Sequence, residues 1–191
     1  VPEGKISDEK ALSTLSTMDV YLKRLEGYTL SMSSLQKLEE IELSPKETDF
    51  GDLCNELKNI SDMLASDKRI DFHCNGNGVV HIDLPAVLQT YENIVSNAVR
   101  YAENEVKVSC VVKDSFLSIT VEDDGPGFTP EALKKATEPY YRAKKDMSDI
   151  AHFGIGLYIC RLMCEKHGGM LVVENAKGGK VTASFALLKH E

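Results

Sequence analysis

Two alternating runs, Val106 to Lys113 and Phe116 to Val121, restrict the possible folds of this chain more than any other feature. Val106, Val108, Cys110 and Val112 share one face of the first run. Leu117, Ile119 and Val121 share one face of the second. A period of two describes a strand with one buried face, and Asp114-Ser115 is the length of a tight hairpin link. An antiparallel pair at mid-chain argues against a parallel sheet built from repeated strand–helix–strand units.

The flanking segments extend this pattern. Arg69 to Cys74 and Val79 to Ile82 read as a strand and its returning partner, joined by the turn Asn75-Gly76-Asn77-Gly78. Met170 to Glu174 and Lys180 to Leu187 read as the last two strands, separated by Gly178-Gly179. Helices are expected over Asp52 to Ser66, from Asp83 to near Glu103, over Pro130 to Ala136, and over Ile155 to His167. Asp83 suits a helix cap with Pro85 in the first turn, and Gly168-Gly169 suits a left-handed helix end. The expected class is α+β: a two-layer α/β sandwich of a mixed, mainly antiparallel sheet and about three helices.

One long helix should precede it. Leu15, Met18, Leu22, Leu25, Met32, Leu35 and Leu38 recur at helical steps between Asp8 and Leu43, and Ser44-Pro45 stops the run. The expected organisation is residues 1–44 as a helix that needs a partner, 45–49 as a linker, and 50–191 as a second domain. The chain carries 22 basic and 30 acidic residues, a formal charge of -8, which excludes the basic footprint of a general nucleic-acid binder. No apolar run reaches membrane-spanning length. Val1 is not methionine, so a fragment of a longer protein is expected, with any membrane anchor elsewhere. The five cysteines are odd in number and form no CxxC pair; buried free thiols in a reducing compartment are expected.

The chemistry lies in three separated pieces. Asn93 and Asn97 are one helical turn apart in Gln89 to Tyr101, so their amides share a face, and Arg100 can lean along it. Amide oxygens are hard ligands suited to hydrated Mg²⁺ at phosphates. Glu122-Asp123-Asp124-Gly125-Pro126-Gly127 follows a strand; a carboxylate there can accept from an adenine amine, and the glycines let backbone approach a flat ring. Gly154 and Gly156 open the last long helix, where N–H groups and the helix dipole favour a phosphate. Between them, Glu138 to His152 is rich in tyrosines and basic residues and reads as a lid.

In this order the motifs resemble the catalytic and ATP-binding domain of sensor histidine kinases, within the gyrase/Hsp90/histidine kinase/MutL (GHKL) superfamily and its Bergerat fold. Glu92 to Tyr101 is similar to the N box, Asp123 to Phe128 to the G1 box, Glu138 to Ala143 to the F box, and Gly154 to Gly169 to the G2 region. The first helix resembles the second helix of the family's dimerisation and phosphotransfer region. The resemblance implies ATP and Mg²⁺ as ligands. Asn97 would hold the metal, with Asn93 beside it as a candidate second ligand. Arg100 would sit near the phosphates, Tyr101 on the adenine, and Asp123 on its amine, with Gly125 and Gly127 shaping the floor. Tyr140, Tyr141 and Arg142 would belong to the lid, and Gly154, Ile155, Gly156 and Leu157 would wrap the phosphates. Asn97, Arg100 and Arg142 would carry the transfer itself.

The sequence departs from the family at His152, where a glycine is usual, and at the lid, where tyrosine replaces phenylalanine. Superfamily members that hydrolyse ATP place a glutamate where Asn93 stands, so transfer to another acceptor is the implied reaction. None of His73, His81, His152, His167 and His190 stands in an acceptor setting, so the acceptor helix is expected before Val1 and self-phosphorylation is not expected. Implied partners are that helix on the same or a partner protomer, a response regulator receiver domain, and a second copy in the full-length protein. The implied location is a cytoplasmic domain of a membrane-anchored sensor. An ATP-binding pseudokinase and a serine kinase of the anti-sigma-factor type share these motifs.

Overall fold

The computed structural model describes residues 14, 15, 17, 18, 40–142 and 154–187. Its elements are β1 (Lys46–Asp49), α1 (Phe50–Leu64), β2 (Arg69–Asn75), β3 (Val79–Ile82), α2 (Leu84–Tyr101), β4 (Glu105–Lys113), β5 (Phe116–Asp123), α3 (Pro130–Lys135), α4 (Gly156–Lys166), β6 (Leu171–Asn175) and β7 (Gly179–Ala186). Thr14, Leu15, Thr17, Met18 and Glu40 are helical. The rest of the expected N-terminal helix, residues 143–152 of the expected lid with His152, and His190 lie outside the described residues.

The central hairpin forms as expected. β4 and β5 pair antiparallel from Val106↔Asp123 to Lys113↔Phe116. Asp114 and Ser115 both take positive φ, 50° and 65°, the conformation a two-residue turn requires to match the twist of its strands. The sheet order is β2-β4-β5-β7-β6. Val106, Val108, Cys110, Leu117, Ile119, Val121, Val181, Ala183 and Phe185 are buried on one face, under α1, α2 and α4. Each large side chain there contributes about 1.5–3 kcal/mol by leaving water. The opposite face carries polar pairs such as Thr120 and Thr182, whose hydroxyls lie 3.1 Å apart. Helices on one face and solvent on the other make the two-layer α+β sandwich, with four helices among the described residues of 50–187 rather than about three.

Three expectations are corrected. β3 does not return alongside β2: β2 pairs parallel with β4, and β3 pairs antiparallel with β1. Gly78, at φ 81°, offers its carbonyl to Phe50 N at 2.9 Å, which ties this turn to the start of α1 instead of closing a hairpin. The expected linker 45–49 is therefore mostly strand β1, and Asp49 leaves it to cap α1, accepting from Gly51 N and Asp52 N. The N-terminal helix also stops earlier than Leu43. Residues 41–45 are non-helical because their backbone finds partners on α4 and at the start of α2: Lys166 Nζ donates to Ile41 O at 3.0 Å, and Ser44 N to Asp83 Oδ2 at 2.7 Å.

The cysteine expectation is corrected in part. Cys54 on α1 and Cys74 on β2 form a disulfide, their Cα atoms 6.5 Å apart and within bridging range. Cys110, Cys160 and Cys164 are buried free thiols. No helix among the described residues is long and apolar enough to cross a membrane.

His167 is a structural residue. It is fully buried, packs edge-on against Phe185 with ring centroids 5.5 Å apart, and its Nε2 accepts Asp83 N at 2.9 Å. His167→Ala should cost about 2–4 kcal/mol, because it opens a cavity and strands the Asp83 N–H. Burial holds the imidazole pKa below its ordinary value of 6.5, against opposing pulls from the Ala186 backbone and the Asp83 charge. A depressed value means the neutral ring belongs to the folded state. Its stabilisation is complete above the unfolded value and is lost as pH falls below about 6.5. Urea midpoints measured from pH 8 to pH 5 should drop, and His167→Ala should flatten part of that slope.

Candidate nucleotide site

The site is strung along one rim of α2. Asp83 starts the helix by accepting Ala86 N at 3.0 Å. Val87, Tyr91, Ile94, Val95 and Ala98 face the core, and the Tyr91 hydroxyl meets the Ser61 hydroxyl inside it. That burial fixes the rotation of the helix and leaves Asn93, Asn97, Arg100 and Tyr101 half-buried at its edge. From Asn93 to Tyr101 the rim runs about 12 Å.

At the Asn93 end, the first residue of α4 comes close. A Cβ on Gly156 would lie 3.5 Å from Asn93 Oδ1 and 3.9 Å from Asn97 Nδ2. Both amides thus face a space left open by a glycine. Ile155, at the N-cap of α4, makes no side-chain capping hydrogen bond. The first N–H groups of this eleven-residue helix and the positive end of its dipole lie at the same space. The Ile155 side chain packs on a small cluster around Met163, and Leu157 packs on the main core.

At the other end, α2 meets the acidic turn. A Cβ on Gly125 would come within 2.1 Å of the Tyr101 carbonyl and 2.8 Å of Asp123 Oδ1, so no side chain fits. Asp123 Oδ1 accepts Gly125 N at 2.9 Å and Gly179 N at 3.3 Å. Burial raises the Asp123 pKa, and those two N–H groups oppose the rise. Gly127 takes φ 71° against Asn175, whose side chain bonds both the N–H and the carbonyl of Phe128. The Arg100 guanidinium lies 5.3 Å from the centre of the Tyr101 ring, so it sits toward this end of the rim.

Asp124 does a different job from its neighbour. Its carboxylate accepts the N–H groups of Glu103, Asn104 and Glu105 at 2.8–3.0 Å and clamps the α2–β4 turn. These bonds, those of Asn104 foremost, hold its pKa down to about 2.

Tyr140, Tyr141 and Arg142 of the expected lid are among the described residues. Tyr140 has φ 64°. A Cβ on Gly154, at φ 71°, would fall 2.3 Å from the Tyr141 carbonyl and 2.9 Å from Arg142 Cγ. Both ends of the segment 143–153 therefore meet at the start of α4. Sequence reasoning passed over Gly178 and Gly179 as mere spacers. A Cβ on Gly178 would lie 2.4 Å from the Asp123 carbonyl, and one on Gly179 would lie 2.6 Å from Asp123 Oδ2. Two adjacent glycines between strands are the signal that backbone passes close to another group there.

Comparison with known proteins shows the family and the fold. Residues 82–191 match the family described as histidine kinase-, DNA gyrase B- and HSP90-like ATPase. The sensor histidine kinase CssS of Bacillus subtilis is 37% identical over 98 residues, covering 51% of this chain and 20% of CssS. The aerobic respiration control sensor protein ArcB homologue of Haemophilus influenzae is 28% identical over 169 residues, covering 84% and 52%. The chain thus spans a fifth to about half the length of these curated relatives. Among solved structures, the nucleotide-free catalytic domain of histidine kinase ThkA superposes with a TM-score of 0.63 at 23% identity, covering 76% of this chain and 97% of that one.

Proposed function

The chain belongs to the histidine kinase-, DNA gyrase B- and HSP90-like ATPase family, its residues 82–191 form an ATP-binding domain, and from that premise we propose that it transfers the ATP γ-phosphate to a histidine. The observation that carries this reading is the α2 rim, with the two amides and Gly156 at one end and Tyr101 with Asp123 at the other. Adenine lies at the Tyr101 end in this reading. Asp123 takes the purine amine, and Gly125 and Gly127 leave room for the ring. The phosphates lie at the Asn93 end, against the first N–H groups of α4.

Asn97, with Asn93 beside it, would hold Mg²⁺: Asn93 turns Oδ1 to the open space at Gly156, and Asn97, whose Nδ2 faces that space, would offer its Oδ1 after an amide flip. When bound, the ion neutralises charge on the β- and γ-phosphates. The chain's own residues supply the rest. Arg142 is carried by the lid, Tyr140 and Tyr141 close beside it, and Gly154 lets the lid approach α4. Arg100, seated over Tyr101, holds positive charge at the purine end of the rim. The acceptor imidazole nitrogen attacks the γ-phosphorus, the bond to the β,γ-bridging oxygen breaks, and ADP leaves. Asn93 stands where superfamily members that hydrolyse ATP carry a glutamate, which supports transfer over hydrolysis in this reading.

In the whole protein, we place the domain on the cytoplasmic side of a membrane-anchored sensor, acting in a dimer and passing phosphate on to a response regulator aspartate. The relatives' names as sensor kinases support this reading. The test is an incubation with γ-labelled ATP, Mg²⁺ and a separately supplied helical hairpin bearing an acceptor histidine. Acid-labile, base-stable label on the hairpin is expected. Acid-stable label on serine, or no transfer despite ATP binding, would overturn it.

A further inference from the structure

The sheet end remote from the nucleotide rim carries a cluster of sulfur. Cys74 and Cys110 are direct cross-strand neighbours in the parallel β2–β4 pair, and Cys54 reaches them from α1. All three Sγ atoms lie within 4.8 Å of one another. Cys110 is fully buried, Cys54 half-buried and Cys74 exposed, so the cluster has a floor and an opening. Cys110 is four residues along β4 from Val106, which pairs with Asp123. That separation, about 13 Å of strand, keeps the cluster clear of the nucleotide site.

We propose that, once the Cys54–Cys74 disulfide is reduced, Cys54, Cys74 and Cys110 bind one thiophilic d¹⁰ cation, Cu(I) or Zn(II), through three thiolates. Three sulfurs around such an ion at about 2.3 Å stand about 4 Å apart, which the observed spacing meets with side-chain adjustment alone. Thiolate is the ligand soft metals prefer. Among the described residues no other His, Cys, Asp or Glu joins the cluster. A three-sulfur set satisfies Cu(I) directly, and the open side at Cys74 admits water as a fourth ligand for Zn(II). Reduction by a phosphine converts the disulfide to two thiols while the phosphine takes oxygen from water. Binding then displaces the three thiol protons.

The test uses the whole chain, reduced by a phosphine, freed of it without oxygen, and titrated separately with Cu(I) and Zn(II) against chromophoric chelators. One ion per chain is expected, with a sulfur-to-metal charge-transfer band and three sulfurs by X-ray absorption. Cys74→Ser, at an exposed position that does not endanger folding, should weaken binding at least about 100-fold, since even outer-sphere partners of metal sites are worth 10–100-fold. Cys110→Ala should do the same, and ATP affinity should be unchanged in Cys74→Ser. The proposal is overturned if neither ion binds, if the bound ion has only two sulfurs, or if Cys74→Ser retains parental affinity, which would point to Cys160 and Cys164 instead.

Discussion

Asp123→Asn should weaken ATP binding about 100-fold while leaving the fold intact, on the scale of a charge-assisted hydrogen bond lost in a desolvated site. The reason is the saturation of this carboxylate. Its Oδ1 already serves Gly125 N and Gly179 N. Its Oδ2 lies where only glycine at position 179 leaves space. An asparagine must point its NH₂ either at two backbone N–H groups or at the purine amine, and both are donors. The first choice costs the turn its bonds; the second costs the ligand its acceptor.

The same residue gives a pH signature. Burial raises the Asp123 pKa, so protonation begins above the ordinary carboxylate value of 3.8. Two effects then have opposite sign. ATP binding needs the ionised acceptor and should fall as pH drops through that raised value. Folding stability gains from the protonated form, and the cost of ionising the buried group appears as pH rises above 3.8. Calorimetry with ATP from pH 8 down toward pH 4 reads the first, and urea midpoints over the same range read the second. An Asp123→Asn variant with parental affinity would remove Asp123 from the purine end.

Much of this site could be read before the structure because its signals are local. Asp83 as a cap, Asp114-Ser115 as a turn, and Gly168 at φ 70° as a helix end each depend on a few adjacent residues. The spacing of Asn93, Asn97 and Tyr101 needed only the helical repeat. What escaped was non-local. β2 ends on an Asn-Gly turn that fits a hairpin, yet its partner is β4, reached by a crossover through β3 and α2. β1 is four polar residues, Lys-Glu-Thr-Asp, with no alternating apolar face, and only its pairing with β3 defines it. Cys54 and Cys74 lie 20 residues apart on different elements, and only the packing of α1 over β2 joins them. Asp123 and Asp124 are identical in type and adjacent. Which of them serves a ligand and which holds the α2–β4 turn depends on where three backbone N–H groups point.

Asn97→Ala should have the largest effect on catalysis: about a 1,000-fold fall in phosphoryl transfer, the upper end of what one lost electrostatic stabiliser costs. ATP affinity should fall far less, about tenfold, because the purine end with Tyr101 and Asp123 is untouched. Fold stability should hardly change. Asn97 is half-buried at the rim, and the helix is anchored by Tyr91, Ile94, Val95 and Ala98. Asn97→Asp sharpens the test. It keeps an oxygen ligand but adds negative charge beside the phosphates, so raising Mg²⁺ should recover part of its rate and should not recover Asn97→Ala. Combining Asn97→Ala with Asp123→Asn should give additive losses in binding free energy, since the two side chains act at opposite ends of the rim. An Asn97→Ala protein with the parental Mg²⁺ dependence would move the metal to Asn93, whose Oδ1 is the amide oxygen nearest the Gly156 position. The same titration on Asn93→Ala would then show the loss that Asn97→Ala did not.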